Sequence, residues 1–191
     1  MMRARLLIAA ALTLMSTSVC PAADSEQVLA LAQGGATDYV IVTGANPIPA
    51  EQTAARELAE YLKKVTGAEF RTVAESATEP KPAKAIHLGW TAFAAGQGID
   101  CAKLRVEESV IKTVGDNLVI AGGRPRGTLY GVYDFLEKEL GVYWLDRDTE
   151  VVPKRPTLAL AAIDRRAIPP VVSVAGAVPY VFFRRRRIKS Q

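Results

Sequence analysis

The chain has 191 residues, is 49% hydrophobic, carries a formal net charge of +4 and contains two cysteines and one histidine. That length fits one domain, two cysteines are too few for a disulfide scaffold, and a lone histidine argues against a two-histidine metal site. The positive charge sits at the ends: nine of the 24 Lys and Arg are Arg3, Arg5, Arg165, Arg166, Arg184, Arg185, Arg186, Arg187 and Lys189, leaving 15 against 20 Asp and Glu, so the body reads as acidic and offers no basic surface for nucleic acid.

In chain order, residues 1–23 read as a secretory signal peptide. Arg3 and Arg5 precede an apolar run, Leu6 to Met15, and small residues follow at Cys20, Ala22 and Ala23. A run of ten residues is too short to span a bilayer. The expected location is periplasmic or extracellular. Cys20 leaves with the signal or ends up at the mature terminus, so Cys101 stands alone and reads as a small, partly buried apolar residue. Residues 24–37 are assigned to a linker.

Asp38 to Thr43 reads as a strand rich in β-branched residues. Ala50 to Thr66 predicts a helix, because Ala55, Leu58, Ala59, Leu62 and Val65 recur at helical spacing while Arg56, Glu57, Glu60, Lys63 and Lys64 fall on the other side. Gly67 stands where a left-handed cap is expected. Glu69 to Ala74 and the segment AIHLG predict two more strands, and Thr91 to Gly98 a short helical turn. Ser109 to Val114 and Asn117 to Ala121 predict a hairpin across Gly115 and Asp116. A second helix, Thr128 to Leu140, buries Leu129, Val132, Tyr133, Leu136 and Leu140 and ends at Gly141. Gly131 in its middle is costly unless something packs closely there. VYWL, EVVP and TLALA are short extended segments. The expectation is an α+β domain over residues 38–164: a mixed sheet with two amphipathic helices on one face.

Four motifs carry possible chemistry. Gly122, Gly123 and Gly127 in GGRPRG, with Arg124 and Arg126, precede a helix whose free N–H groups suit an anion. No Lys-Ser or Lys-Thr follows, so the favoured reading is a tight strand-to-helix turn. Asp146, Asp148 and Glu150 alternate as at the start of a calcium loop, but Val151 replaces the required glycine. His87 alternates with Ile86 and Leu88, as a sheet residue facing solvent or a neighbour does. Asp134 and Glu137 share a helix face, as acid–base carboxylates on a glycosidic bond could, and as pairs on any amphipathic helix do. No catalytic, cofactor-binding or metal-ligating residue is assigned, and no cofactor is expected.

Residues 165–191 form an apolar and polybasic tail. Ile168 to Phe183 carries no charge and Arg184 to Arg187 follow. One reading is an anchor that contacts a membrane with its basic residues held on the cytoplasmic side; Pro169, Pro170 and Pro179 argue against a clean span. The favoured reading is that the chain leaves its ancestral course here, by truncation or frameshift.

The segments AARELAEYLKKVTG, AIHLG and NLVIAGGRPRGTLYGVYDFLEKELGVYWLDRDTEVVP resemble the N-terminal domain of the family 67 α-glucuronidases. They are more distantly similar to the second domain of bacterial β-hexosaminidases. The resemblance covers Asp38 to Ala162 and is most specific from Gly122 to Trp144. It implies a zincin-like sheet-and-helix sandwich, followed in those enzymes by a (β/α)-barrel of roughly 250 residues that carries the catalytic carboxylates. With 29 residues after Ala162, the expectation is an accessory domain of a xylan- or polysaccharide-degrading α-glucuronidase, inactive alone, with a catalytic barrel or polysaccharide as partner. The alternative is an envelope-tethered carbohydrate-binding or interaction module using Trp90, Tyr130, Tyr133, Tyr143 and Trp144 as stacking faces. Against it, Tyr133 lies on the apolar stripe.

Overall fold

The runs VIVT, AIHL and LVIAG are apolar at nearly every position, as strands covered on both faces must be. They form the centre of the molecule. The computed structural model describes residues 28–77, 81–146 and 148–168. The elements are β1 (Val28–Ala32), β2 (Val40–Thr43), α1 (Pro49–Thr66), β3 (Arg71–Ala74), β4 (Ala85–Leu88), α2 (Ala92–Gly96), β5 (Ser109–Val114), β6 (Asn117–Gly122), α3 (Gly127–Lys138), β7 (Tyr143–Trp144), β8 (Glu150–Val151), β9 (Leu158–Ala161) and β10 (Asp164–Ala167).

Six strands make one sheet in the order β10-β5-β6-β4-β2-β3. β3, β2, β4 and β6 run parallel, while β5 pairs antiparallel with β6 and with β10. The sheet is mixed, as expected. Strand alternation sorts its side chains by face. Ile41, Ile86, Leu88, Ile111, Leu118 and Ile120 join the buried faces of α1 and α3 in the main core. Val110, Val119 and Ala121 meet Ala94, Ile99 and Cys101 on the other face, beneath α2 and the turn at Cys101–Lys103. The two long helices therefore share one side of the sheet. Leu58, Leu62, Phe135 and Leu136 are fully buried between the layers, and each contributes about 1.5–3 kcal/mol by leaving water.

The helix ends follow their sequence signals. Pro49 opens α1, where its missing N–H costs nothing. Gly67 adopts φ 81° and donates to the Lys63 carbonyl at 2.8 Å. α3 stops at Lys138, two residues short of the expectation. Gly141 then turns left-handed, and Val142 N–H donates back to the Leu136 carbonyl at 3.0 Å. Gly131 lies against the sheet: a Cβ there would meet Ser109 Cβ at 3.1 Å and Ile120 Cγ2 at 3.2 Å.

Two boundaries differ from the sequence reading. Residues 28–32, assigned to a linker, form β1, which pairs antiparallel with β9 and sends Leu29 and Leu31 into the main core. Residues 165–167, assigned to the tail, belong to β10. Its Arg165 binds Asp134 at 2.9 Å and Glu139 at 2.8 Å, and its Arg166 binds Glu108. Counting Arg165 and Arg166 with the body raises its Lys and Arg from 15 to 17 against the same 20 Asp and Glu, so the body is less acidic than the sequence reading has it. Residues 1–23, read from the sequence as a signal peptide, and the segment from residue 169 lie outside the described residues. Among the described residues no helix is long and apolar enough to cross a membrane.

Candidate functional site

In open parallel sheets ligands settle beyond the carboxyl ends of the strands. Here that end is built from the loops after β2, β4 and β6, and it is filled by the protein's own groups. Glycines let the loops touch backbone to backbone: a Cβ on Gly44 would lie 2.3 Å from the Trp90 carbonyl oxygen, on Gly123 2.0 Å from that of Arg105, and on Gly127 2.3 Å from that of Glu108. Arg124 lies 4.1 Å from the centre of the Trp90 ring. It donates from Nε and Nη2 to the two oxygens of Glu51, at 3.2 and 3.1 Å. Glu51 is 3% exposed. Its carboxylate also accepts from Ile48 N–H at 3.0 Å, closing the first turn of α1 where the helix dipole favours a negative charge. Trp90 Nε1 donates to the Gly122 carbonyl at 2.8 Å. Arg126 pairs with Glu107, a non-glycine residue at φ 70°. Both arginines of GGRPRG therefore serve internal carboxylates, and its glycines make the tight strand-to-helix turn.

A second polar node locks the β7–β8 hairpin onto α1 and α3. Trp144 Nε1 donates to Tyr61 Oη at 2.7 Å, and Tyr61 Oη donates to Glu150 Oε2 at 2.6 Å. Lys64 Nζ reaches Glu150 Oε1 at 2.8 Å and Glu60 at 2.9 Å. The Trp144 ring meets Tyr61 and Tyr133 edge to face, with centroids 5.4 and 5.3 Å apart. Burial, then the bond to Glu150, push the Tyr61 hydroxyl pKa far above its ordinary range.

The other sequence candidates fall into place individually. Asp146 Oδ1 accepts from the N–H groups of Asp148 and Thr149 at 2.8 and 2.9 Å, which makes it a turn residue. Glu150 faces Tyr61 and Lys64, so the acidic triplet does not converge. Asp134 is engaged by Arg165 and by Lys138 at 2.7 Å. His87 is buried with its ring parallel to Phe93, centroids 3.9 Å apart; burial pushes its pKa down to about 4. Burial pushes the Cys101 thiol up to about 11. Of the five aromatic side chains considered for sugar stacking, Tyr130 is buried, Trp90, Tyr133 and Trp144 are half-buried, and only Tyr143 is exposed. Among the described residues no group of three or more His, Cys, Asp or Glu is placed to hold a metal ion.

One open groove of about 530 Å³ runs between α1 and the edge strand β3, lined by Thr43, Gln52, Arg56, Glu60, Phe70 and Thr72 among others. Its carboxylates face cations, Glu60 to Lys64 at 2.9 Å and Glu69 to Lys63 at 3.7 Å.

A family model described as Glycosyl hydrolase family 67 N-terminus matches residues 27–135, more than half of the chain. The chain belongs to that family. The family 67 N-terminal match begins just before β1 and ends inside α3, so it takes in the strand that periodicity alone missed. No curated protein matches the sequence. Among solved structures the chain is similar in fold to a family GH115 4-O-methyl-α-glucuronidase with specificity for decorated arabinogalactans. The TM-score is 0.53 and the identity 23%, over 73% of this chain and 18% of that one. This family 67 N-terminal chain thus covers under a fifth of that enzyme's length.

The residues that organise this family 67 domain carry only part of their signal in the local sequence. Glu51 stands three residues after Ile48, the spacing at which a carboxylate reaches back to a helix's first N–H. Tyr61 lies three residues past Leu58, on the buried face of α1, though it is not among the residues of the apolar stripe named from the sequence. Glu108 is 1% exposed and holds both Arg166 and the N–H of Arg105, at 2.7 Å for the latter. No local pattern marks it, because its main partner lies far along the chain.

Proposed function

We propose that this family 67 N-terminal domain is a non-catalytic accessory part of an α-glucuronidase-like glycoside hydrolase acting on xylan or a related polysaccharide. The observation that carries this reading is the state of the carboxylates. Glycoside hydrolysis needs two carboxyl groups flanking an open cleft, one of them an acid with a raised pKa. Here Glu51 is bound by Arg124, Glu108 by Arg166, Asp134 by Arg165 and Lys138, and Glu150 by Lys64 and Tyr61. The cation beside Glu108 holds its pKa below the usual range, the opposite of what a general acid requires. Cation-paired carboxylates fix loops and helix ends, which suits a domain that supports a neighbour.

Incubating the purified protein with 4-O-methylglucuronoxylan oligosaccharides tests the reading. The expected result is no release of the uronic acid above a blank without protein. Release that scales with protein concentration would overturn it.

A further inference from the structure

Six large apolar side chains are exposed among the described residues: Val28, Val106, Tyr143, Leu145, Val151 and Ile168. Three of the six lie on one short ribbon. Tyr143 pairs directly with Val151 across the β7–β8 hairpin, so their side chains share a face. Leu145 is two residues beyond Tyr143, and its N–H donates to the Thr149 carbonyl at 3.0 Å, which continues the ladder and keeps it on that face. Their exposures are 50, 62 and 45%. The opposite face of the same ribbon carries Trp144 and Glu150, which are fixed to Tyr61 and Lys64. The outer face is therefore apolar and outward, on a ribbon whose inner face is anchored, so that docking there need fix little backbone. Exposed Asp146 and Asp148 stand at its turn.

The other surfaces are less suited. The outer side of α1 is charged, with Arg56, Glu57, Glu60 and Lys63, and part of the sheet's far face is already covered by α2 and the Cys101 turn. In the solved glucuronidase this fold is 18% of the chain, so there it is joined to a much larger body.

We propose that the outer face of the β7–β8 hairpin is a docking surface for the catalytic domain of a glycoside hydrolase. Tyr143, Leu145 and Val151 would be its apolar centre. The partner's complementary patch is apolar. This rests on the accessory reading above and adds the place where the partner is held.

The test is calorimetric titration of the full chain with the catalytic barrel of a family 67 α-glucuronidase produced without its own N-terminal domain. Saturable binding is expected. Leu145→Asp and, independently, Tyr143→Ser should each weaken it roughly tenfold or more, as loss of a central apolar anchor does. Val106→Asp, an equally exposed change in the loop before β5, should leave binding unchanged, and all three variants should melt as the parent does. Absence of binding by the parent chain, or equal binding by the hairpin variants, overturns the proposal. So does a parent dimer in sedimentation velocity that Leu145→Asp disperses, which would make a second copy the occupant. Xylo-oligosaccharides that raise the melting temperature of the parent but not of Tyr143→Ser would make the face a sugar site and overturn it as well. Hydrolysis by the chain alone sinks the accessory reading; an inactive chain whose barrel binding ignores the hairpin sinks only the docking surface.

Discussion

His87 sits on β4 with one face of its ring against Phe93 at 3.9 Å, in surroundings that favour the neutral imidazole. Burial is the larger influence; Glu75 raises the pKa and Lys81 lowers it, and the result is about 4 against an ordinary 6.5. Because the folded pKa lies below the unfolded one, the contribution to stability is complete above pH 6.5. It is lost as the pH falls from 6.5 through about 4. Full loss amounts to roughly 3 kcal/mol. Glu108, held ionised by Arg166, adds to acid sensitivity with the same sign, at lower pH. Urea denaturation at pH 7 and pH 4.5 should show a marked drop in unfolding free energy for the parent chain. His87→Phe, which keeps a flat ring on Phe93 without a titrating nitrogen, should show a clearly smaller drop. An equal drop in both would mean that His87 is not the source. The residue's face was legible from AIHLG, where it alternates with Ile86 and Leu88. What covers that face was not, because α2 reads as only a short turn.

At the scale of elements, Tyr61 joins three of them through one oxygen: it accepts from Trp144 on β7, donates to Glu150 on β8, and stands on α1. Tyr61→Phe keeps the ring and removes that oxygen, leaving a half-buried indole N–H and a carboxylate oxygen to find new partners. The expected cost is about 1–2 kcal/mol, read from the denaturation midpoint at unchanged slope, with a shift in Trp144 emission. An unchanged midpoint would show that the hairpin is held by packing alone. Both long helices and the β5–β6 hairpin were legible because their signals are local: an apolar stripe at helical spacing, a glycine cap, a Gly-Asp turn. β1 and β10 were not, because each pairs with a strand far away in sequence. β1 finds β9 across almost the whole domain, and β10 returns to the outer side of β5. In β10, alternation also worked against recognition. DRRA offers no apolar face, since its arginines are there to meet Glu108, Asp134 and Glu139.

For the whole molecule, those two strands change where the domain ends and what its charge is. Arg165 and Arg166 read as part of a basic tail, yet they are ion-pair partners inside the sheet-and-helix body, and moving them inward brings the body to 17 Lys and Arg against 20 Asp and Glu. β1 has the larger energetic consequence. Leu31 is fully buried and shares the main core with Leu62, Phe135, Leu158 and Leu160, so the small β1–β9 sheet and the six-stranded sheet have one core between them. A single core predicts a single cooperative transition. Leu31→Ala should then cost about 2–5 kcal/mol, comparable to Leu62→Ala in the centre of α1. The midpoints by tryptophan fluorescence and by far-ultraviolet circular dichroism should move together in both variants. If residues 28–32 were only a linker, Leu31→Ala would leave the midpoint where it is while Leu62→Ala lowered it. If β1 and β9 unfolded as a separate unit, the two probes would part company in Leu31→Ala alone.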